Sequence, residues 1–527
     1  MIRVRNLRLD IGEDEAALRR RAAGRLRIPP ESLGELTILK RSLDARKKSD
    51  LHYVYTVAVS VPDEEGLLRR LKSADAELYV PPVYEIEPVE TEERPVVVGF
   101  GPAGMFAALV LAKAGAKPIV LERGQDVDTR SQAVAAFRAG GALDSENNVQ
   151  FGEGGAGTFS DGKLNTGTHD RRIAWVLKQF CAHGAQREIL YDAKPHIGTD
   201  VLVDVVREIR REIASLGGEV RFGARLTGLK SEDGVLTGAE VTAGTERYEL
   251  PCRQLILAIG HSARDTFTML HALGLPMEPK PFSMGVRIEH RQSDIDLAQY
   301  GRERGGLPPA DYSLNVHLPD GTSAYTFCMC PGGEVFAAAS EPGGVVTNGM
   351  SYSGRAGENA NAALLVTLRP EDFPGEGVLA GMEWQRAIER AAFRYGGENY
   401  RAPAQTVGDF LRYVPSTGPG SVQPSYRPGV RWGELREALP ERITSVLERA
   451  IPALGQKLRG FDAPDAVLTA PETRSSSPVR ILRDADCCSP LKGLYPCGEG
   501  AGYAGGITSA AVDGMRCAEA VLRALKK

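Results

Sequence analysis

The amino-acid sequence predicts an α/β fold in which a Rossmann-like nucleotide-binding domain carries an inserted α+β domain and follows a small βαββαβ domain. Three features support this prediction. A strand, a glycine-rich loop, a helix and a second strand follow one another in residues 94–124. Two more glycine-rich loops lie far along the chain, and short alternating elements fill residues 1–88. Strands that alternate with helices are typical of parallel sheets covered by helices.

The first 88 residues have the periodicities of a small independent unit. Strands are predicted at 2–9, 36–41, 51–61 and 77–80, and helices at 13–26 and 64–72. The resulting βαββαβ order is that of a ferredoxin-like split βαβ domain. Residues 81–95 then contain prolines and acidic residues without periodicity, which indicates a linker.

RNA-recognition modules share this order of elements, so nucleic-acid binding has to be weighed. The basic residues between two of the strands are Lys40, Arg41, Arg46, Lys47 and Lys48. Tyr53 and Tyr55 share one face of the next strand, where aromatic rings could stack on bases. However, the strand LHYVYTVAV lacks the glycine and the spacing of the RNA-binding signature. A solvated basic loop is therefore the preferred interpretation.

The stretch around which the chain is organised reads VVVGFGPAGMFAALVLAKAGAKPIVLERG from Val96 onward. The glycines of its G-x-G-x-x-G pattern have separate roles: Gly99 allows the tight turn, Gly101 lets a pyrophosphate approach the backbone, and Gly104 allows close packing of helix on strand. The helix N-terminus offers free N–H groups to the phosphates. Glu122, at the end of the second strand, is predicted to accept hydrogen bonds from a ribose.

Two other glycine-rich loops extend the predicted nucleotide site. One lies in residues 151–167 (FGEGGAGTFSDGKLNTG), and the other precedes a helix predicted at 507–525. A buried strand at 255–259 ends at Gly260 beside them. The predicted cofactor-binding residues are Gly99, Gly101, Pro102, Ala103, Gly104, Glu122, Arg123, Gly155, Gly157, Thr158, Ser160, Gly260, Gly498, Glu499, Gly505, Gly506 and Ile507. One fingerprint with two distant loops suits an extended dinucleotide with a flavin end, so FAD is expected rather than NAD.

Between these loops the sequence predicts further regular elements. Helices are expected at 170–183 and 200–216, the second with a continuous apolar face. A strand is expected at 219–229, followed by two more strands in a meander. We see no second G-x-G-x-x-G in a βαβ setting. NAD(P)H is therefore expected only as a transient substrate that would reduce the flavin.

Residues 1–88 are predicted to form the N-terminal domain. The FAD-binding domain is predicted in two parts, 89–280 and 470–527, and the inserted domain at 281–469. The inserted domain contains short strands such as SAYTFCMC and helices predicted at 384–393 and 443–450. Domains inserted in this way usually cover the reactive face of the flavin. The candidate substrate ligands are Arg287, His290, Asn348, Arg355, Arg474 and, beside the flavin, His261. Arginines would suit a carboxylate or phosphate substrate.

Composition and charge narrow the class of protein. The 527 residues carry a formal net charge of −4, which gives no overall field that favours nucleic acid or an anionic membrane. We find no apolar run long enough to span a membrane and no signal-peptide core, so a cytosolic protein with reduced thiols is expected. Cys328 and Cys330 form C-x-C, Cys487 and Cys488 are adjacent, and no C-x-x-C occurs. No metal site is expected. A redox-active Cys487–Cys488 pair stays open, with packing thiols preferred.

The glycine fingerprint, the LAIG strand and the late CGEGAGYAGG loop together resemble the glutathione-reductase-like flavoproteins with two dinucleotide-binding domains, and more closely those with an inserted substrate domain. Over nearly the whole chain, RSLDARKK, GGAGTFSDGKL, PFSMGVRIEH, TFCMCPGG and ETRSSSPVRI resemble a bacterial family of uncharacterised FAD-dependent dehydrogenases. The resemblance implies non-covalent FAD and oxidoreductase chemistry without naming a substrate. The wider superfamily usually has Asp where this chain has Glu499, so that contact is the least certain.

The sequence therefore predicts an FAD-dependent oxidoreductase in which a hydride passes through flavin N5 to or from a small, anionic substrate. The cofactor carries that chemistry, while protein groups bind and orient. Two alternatives stay open: an RNA-modifying flavoprotein that grips RNA with its N-terminal domain, and a flavin-binding protein without turnover. No catalytic acid or base and no oligomeric state is assigned from the sequence.

Overall fold

The fold is that of a computed structural model, which describes residues 1–526. At the N-terminus two helices pack on one antiparallel sheet of strand order β2-β3-β1-β4. The elements are β1 Ile2–Asp10, α1 Glu15–Leu26, β2 Leu36–Asp44, β3 His52–Val59, α2 Glu64–Leu71 and β4 Ala76–Leu78. Asp14 and Asp63 cap the two helices with their side chains. The βαββαβ order of elements is the predicted one.

A five-stranded parallel sheet of order β23-β11-β5-β6-β7 forms the centre of the molecule. The elements up to residue 272 are β5 Val96–Val98, α3 Pro102–Lys113, β6 Ile119–Leu121, α4 Val127–Arg138, α5 Arg172–Ala182, α6 Thr199–Ser215, β7 Glu219–Arg221, β8 Ala224–Glu232, β9 Val235–Ala243, β10 Glu246–Pro251, β11 Leu255–Leu257 and α7 Arg264–Ala272. The short central strands are buried on both faces, as the β-branched runs predict.

Alternate residues of the central strands enter two different cores. Val97, Val120 and Ile256 pack on the side of α3, α5 and α6. Val96 and Leu121 pack on the other side, against the antiparallel meander β8–β10 and helix α7. The sheet thus lies between a helical layer and a meander. The loops that follow the strands cover the carboxyl ends of the strands.

Two predictions for this region need correction. The strand expected at 219–229 is two strands: β7 belongs to the parallel sheet and β8 to the meander, with Gly223 at φ +63° between them. Glycine adopts this left-handed conformation without the usual steric cost, so the chain can leave one sheet and enter the other. Helix α4 was not predicted because its apolar residues form only a weak stripe, yet Asp126 caps it through the N–H groups of Asp128 and Thr129.

The elements after residue 272 are β12 Met277–Pro279, β13 Phe282–Arg291, α8 Gln292–Tyr300, β14 Asn315–His317, β15 Ser323–Cys330, β16 Glu334–Ala337, β17 Thr347–Met350, β18 Asn359–Leu368, α9 Ala380–Gly396, β19 Ala402–Thr406, α10 Val407–Arg412, β20 Val430–Trp432, α11 Glu441–Gly455, β21 Val467–Glu472, β22 Val479–Ile481, β23 Leu494–Pro496 and α12 Ile507–Leu525. Seven of these strands form a second large sheet of order β14-β15-β18-β13-β21-β19-β20, whereas β12 pairs with β22, β16 pairs with β17, and β23 belongs to the central sheet. Helix α11 covers one face of this sheet with an apolar stripe.

Successive residues of strand β13 face two different environments. Met284, Val286 and Ile288 of β13 enter the core beneath α11, whereas Arg287 lies between them in the sequence and so on the opposite face. Among residues 1–526, no helix combines the length and the apolar character needed to cross a membrane.

Candidate functional site

A deep cavity lies where the carboxyl ends of β5, β6 and β11 meet the second sheet. Four separate parts of the chain meet there: the fingerprint loop, the loop before α5, the turn after β11 and the loop before α12. The predicted cofactor-binding residues that line it are Gly99, Gly101, Pro102, Ala103, Glu122, Arg123, Gly155, Gly157, Ser160, Gly260, Glu499, Gly505, Gly506 and Ile507. The segments predicted to share one site therefore do converge.

Two helices begin at this cavity. Gly101 is the N-cap of α3 and Gly506 the N-cap of α12, and neither cap uses a side chain. The helices pack closely because Gly514 has no side chain: a Cβ there would lie 2.0 Å from the carbonyl oxygen of Ala103. Both helix N-termini line the cavity, so their free first-turn N–H groups and positive dipole ends border the same space. Such a place favours an anion.

The backbone around the α3 N-terminus forms a cradle that side chains would fill. Gly155 has φ +60°, and a Cβ there would lie 2.8 Å from the Cα of Gly101. The two loops therefore approach each other through bare backbone. This bare backbone leaves room for a pyrophosphate to approach the N–H groups, which is the role that the sequence assigns to Gly101.

Glu122 has a wider role than the predicted one. Its carboxylate is 4% exposed and lines the cavity, yet it also accepts hydrogen bonds from the backbone N–H groups of Phe100 (2.8 Å), Gly124 (2.9 Å) and Gly152 (2.9 Å). These bonds join the fingerprint loop to the loop before α5. The carboxylate therefore holds two walls of the cavity together, and its predicted contact with a ribose stays a prediction.

Three of the predicted cofactor-binding residues do not line the cavity. Gly104 faces the strand, where a Cβ would lie 1.9 Å from the carbonyl oxygen of Gly99. Thr158 is buried, and its carbonyl oxygen accepts the hydroxyl of Thr199. The N–H of Gly498 donates to Asp513 of α12 at 2.7 Å. All three contact other parts of the protein rather than the cavity, so the structure does not place them in the predicted direct contact with the cofactor.

Glu499 is an unusual carboxyl group in this cavity. Burial raises its pKa to about 7, although Lys280 partly opposes the shift. An acid whose folded pKa is raised stabilises the fold only while it stays protonated. The unfolded chain loses this proton at an ordinary pKa of about 4.3, so the free energy of unfolding should fall as the pH rises from about 4 to about 7.

We therefore expect Glu499→Gln to remove this pH dependence in the FAD-free protein. The free energy of unfolding of the variant minus that of wild type should be roughly 3 kcal/mol larger at about pH 8 than at about pH 4.5, because the variant has no proton to lose at this position. Urea unfolding of both proteins at the two pH values measures the difference. An equal gap at both pH values would show that Glu499 titrates normally.

Three of the six candidate substrate ligands line the cavity: Asn348, Arg474 and His261. Glu389 clamps the guanidinium of Arg474 through Nε (3.0 Å) and Nη2 (2.8 Å), so the position of Arg474 is fixed while part of its charge is compensated. Burial, together with the charges of Arg474 and Arg264, lowers the pKa of His261 to about 3. His261 is therefore neutral at physiological pH and can donate or accept a hydrogen bond there, but it supplies no cation.

The other three candidates do not line the cavity. Arg287 is fully buried and pairs through two bonds with Glu472, at 2.7 and 2.9 Å. His290 falls on the other face of β13, where its Nε2 contacts the carbonyl oxygen of Phe461 at 2.8 Å. Arg355 pairs with Asp161. The prediction that these three bind substrate is wrong for a ligand in this cavity, because ion pairs and strand alternation direct them elsewhere.

The cavity also contains polar residues that the sequence did not single out as ligands. The most telling are Lys163, Cys328 and Glu472. Arg355 forms two bonds with Asp161, and the Nζ of Lys163 lies 3.7 Å from the same carboxylate, so one negative charge faces two positive charges and the group keeps a net positive charge. The C-x-C spacing was a visible signal for Cys328, but nothing in the sequence said that one of the two thiols faces a cavity.

The N-terminal surface weighed for nucleic acid is partly used within the chain. Arg41 donates to Asp192 at 2.7 and 3.0 Å, and its backbone pairs with the segment around that residue. Tyr53 lies beneath the guanidinium of Arg41, at 5.8 Å from ring centre to Cζ. Arg46 pairs with Asp44. The N-terminal domain therefore contacts the segment around Asp192 through Arg41, which also covers Tyr53. Stacking of RNA bases on Tyr53 would require that ring to be free.

The described residues also include a group that resembles a metal site. Cys497, Asp513 and Cys517 are buried and have candidate ligand atoms within 4.8 Å of one another. Asp513, however, accepts from Arg483 at 2.6 and 3.0 Å and from the N–H of Gly498. Both carboxylate oxygens of Asp513 thus already accept hydrogen bonds, and the positively charged guanidinium of Arg483 lies beside the position that a cation would need. We conclude that this cluster stabilises the loop before α12.

Comparison with known proteins gives the family. A protein-family model described as "FAD-dependent protein, C-terminal domain-like" matches residues 281–475, and one described as a domain of unknown function matches residues 1–60. An uncharacterised protein of Clostridium beijerinckii is 48% identical over 530 residues, covering 99% of this chain and 98% of the relative. Para-nitrophenol 4-monooxygenase of a Pseudomonas species is 27% identical over 245 residues, covering 46% of this chain and 57% of its own.

Among solved structures, a flavin-dependent brominase aligns over 82% of this chain and 79% of its own, with 12% identity and a TM-score of 0.37. That score is too low to support a shared fold, so the family and the cofactor are identified from the sequence relative, the family model and the residues of the site. The bare-backbone cradle between Gly101 and Gly155, the two helix N-termini and the carboxylate of Glu122 suit the pyrophosphate and ribose of FAD. The chain therefore belongs to the same family as the Clostridium beijerinckii protein, and its cofactor is FAD.

Proposed function

We propose that the protein is an FAD-dependent oxidoreductase that acts on a small, anionic substrate. The observation that carries the proposal is the mixed lining of the cavity. Bare glycine backbone and two helix N-termini border it, and so do the polar side chains of Lys163, Asn348, His261 and Arg474. A protein that only stored flavin would need the backbone and the helix N-termini alone.

The cofactor would supply hydride transfer at the flavin ring, and the residues of this chain bind and orient the reactants. Lys163 and Arg355 share the single carboxylate of Asp161, and the remaining positive charge beside the cavity favours a carboxylate or phosphate group there. Arg474, fixed by Glu389, would direct the same group. His261, neutral by burial, would act as a hydrogen-bond partner rather than as a cation.

We also propose a division of labour among the domains. Residues 89–280 and 470–527 would hold FAD, and 281–469, close to the range of the matching family model, would form the substrate-covering insert. Residues 1–88 would be a ferredoxin-like unit, which the strand order β2-β3-β1-β4 supports. Its docking through Arg41 and Asp192 favours a structural role over RNA binding. The similarity to a monooxygenase over part of the chain is in line with oxidoreductase chemistry.

Visible spectroscopy of the purified protein tests the proposal. We expect an oxidised-flavin band that bleaches when NADH or NADPH is added anaerobically, and whose colour returns when oxygen is admitted. NAD(P)H would enter from the open side as a transient reductant. A band that persists would exclude the nicotinamide reductant and direct the search to organic donors. The absence of a band after adding FAD would overturn the proposed function altogether.

A further inference from the structure

Cys328 and Cys330 lie in the strand of the second sheet that reaches the cavity. Strand β15 is irregular between Phe327 and Cys330 in its pairing with β18, and Cys328 there has φ +41°. Cys328 lines the cavity and is partly exposed, whereas Cys330 is fully buried behind it. Phe327 also lines the cavity and is 40% exposed, which puts this segment near the cavity mouth.

A hydrogen bond links the two cysteines: the Sγ of Cys330 donates to the carbonyl oxygen of Cys328 at 3.2 Å. Arg287 donates to that same carbonyl oxygen at 2.9 Å, so the guanidinium fixes the loop that carries the thiol. Neither cysteine is in a disulfide. An accessible thiol backed by a buried one is the arrangement of an attacking and a resolving cysteine.

The charges around the pair favour a thiolate at Cys328. The hydrogen bond from Cys330 lowers the pKa of Cys328, and the cations Lys163 and Arg287 lower it further against the effects of burial and of Asp161. The same contact raises the pKa of Cys330, which burial raises as well. Cys328 is therefore the member of the pair that loses its proton first. Reactive cysteines are found in such electropositive, partly exposed surroundings.

The other partly exposed cysteines lack these features. Burial raises the pKa of Cys181 and of Cys488. Cys487 is buried, and its contact with Cys517 raises its pKa too. The adjacent Cys487–Cys488 pair, which the sequence left open as redox-active, therefore lacks an activated thiol. These positions serve as built-in controls for Cys328.

We propose that Cys328 and Cys330 are a thiol–disulfide exchange pair in the wall of this cavity, with an organic disulfide as the reacting partner. The thiolate of Cys328 attacks one sulfur of R–S–S–R, which forms a mixed disulfide and releases R–S⁻. The thiol of Cys330 gives its proton to R–S⁻ and attacks the sulfur of Cys328, which forms the Cys328–Cys330 disulfide and releases a second R–S⁻. One disulfide is reduced by two electrons, and the two cysteines are oxidised.

The proposal concerns thiol chemistry alone, so its test does not depend on flavin turnover. The FAD-loaded protein is incubated with oxidised glutathione at neutral pH, quenched with acid and analysed by peptide mass spectrometry. Wild type should lose two hydrogens in the peptide that contains both cysteines. Cys330→Ser should instead hold glutathione at Cys328, and Cys328→Ser should show neither product. Retention of the flavin band by both variants shows that they are folded.

The control variant is Cys181→Ser, which should leave the exchange at Cys328 unchanged. In Cys330→Ser we expect Cys328 to form its mixed disulfide about tenfold faster than Cys181 does in the same molecules, since Lys163 and Arg287 remain beside Cys328 and still favour its thiolate at neutral pH. Modification of Cys181 or Cys488 at an equal or greater rate would overturn the proposal. So would a wild-type protein in which the two thiols stay reduced while the flavin still bleaches with NAD(P)H.

Discussion

Gly101→Glu is expected to abolish FAD retention while the protein stays folded. Gly101 has φ −77° and ψ −175°, a conformation open to any residue, and a Cβ there would lie in ordinary van der Waals contact with Gly155, at 3.6 Å from its Cα and 4.0 Å from its backbone nitrogen. The backbone therefore tolerates a side chain. A glutamate would fill the cradle in front of the α3 N-terminus and would place a negative charge where the pyrophosphate must lie.

The expected loss is at least ~3 kcal/mol of binding free energy, or about 100-fold in affinity for FAD, because like charges in a desolvated site repel by several kcal/mol. Flavin absorbance per protein after gel filtration measures the loss, and far-UV circular dichroism checks the fold. Gly101→Ala, which adds a methyl group without a charge, should weaken FAD binding less than Gly101→Glu does. Gly101→Gln separates bulk from charge. A Gly101→Glu protein that kept stoichiometric FAD would contradict the position assigned to the cofactor.

The nucleotide-binding half of the molecule could be predicted from the sequence because the residues that indicate it lie close together in the chain. The Val96–Val98 run, the glycine fingerprint and Glu122 lie within one stretch, and each residue type has a steric or electrostatic reason to be there. Gly104 lies where the fingerprint places it, between helix and strand, because a Cβ there would lie 1.9 Å from the carbonyl oxygen of Gly99. Gly498 was expected to contact the cofactor, but a Cβ there would instead lie 2.7 Å from the Cβ of Ala103.

The substrate side was harder because its residues act through partners distant in sequence. Arg287 and Arg355 were good candidates by residue type, but Glu472 and Asp161 neutralise them, and neither pairing has a local signal. The case of His290 is different. Strand alternation from the apolar Ile288 would have shown that it faces the core beneath α11. Lys163 and Cys328 became candidates only when the cavity brought separate loops together.

The network behind Arg474 leads to the largest expected change in stability. Glu389 is 1% exposed, and its carboxylate accepts from Arg264 at 2.7 and 2.8 Å and from Arg474 at 3.0 and 2.8 Å. The side chains of the two arginines are 1% and 4% exposed. The coulombic effects of Arg264 and Arg474 outweigh burial and hold the pKa of Glu389 far below its usual value.

Glu389→Gln should therefore lower the free energy of unfolding by about 3–5 kcal/mol, because it leaves two buried guanidinium groups with only Glu341 to compensate them. Denaturant unfolding followed by circular dichroism measures the change. Glu383→Gln on the same helix is the matched control: it breaks an exposed pair with Arg386 and should cost less than about 1 kcal/mol.

The same substitution separates stability from binding, because Arg474 lines the cavity. Without Glu389 to orient it, Arg474 should bind an anionic substrate less well even under conditions in which the variant is fully folded. If Glu389→Gln unfolded no more easily than Glu383→Gln, the two guanidinium charges would have to be compensated by Glu341 and solvent. Arg474 would then be a mobile cation rather than a fixed one, and its proposed role in directing the substrate would fail with it.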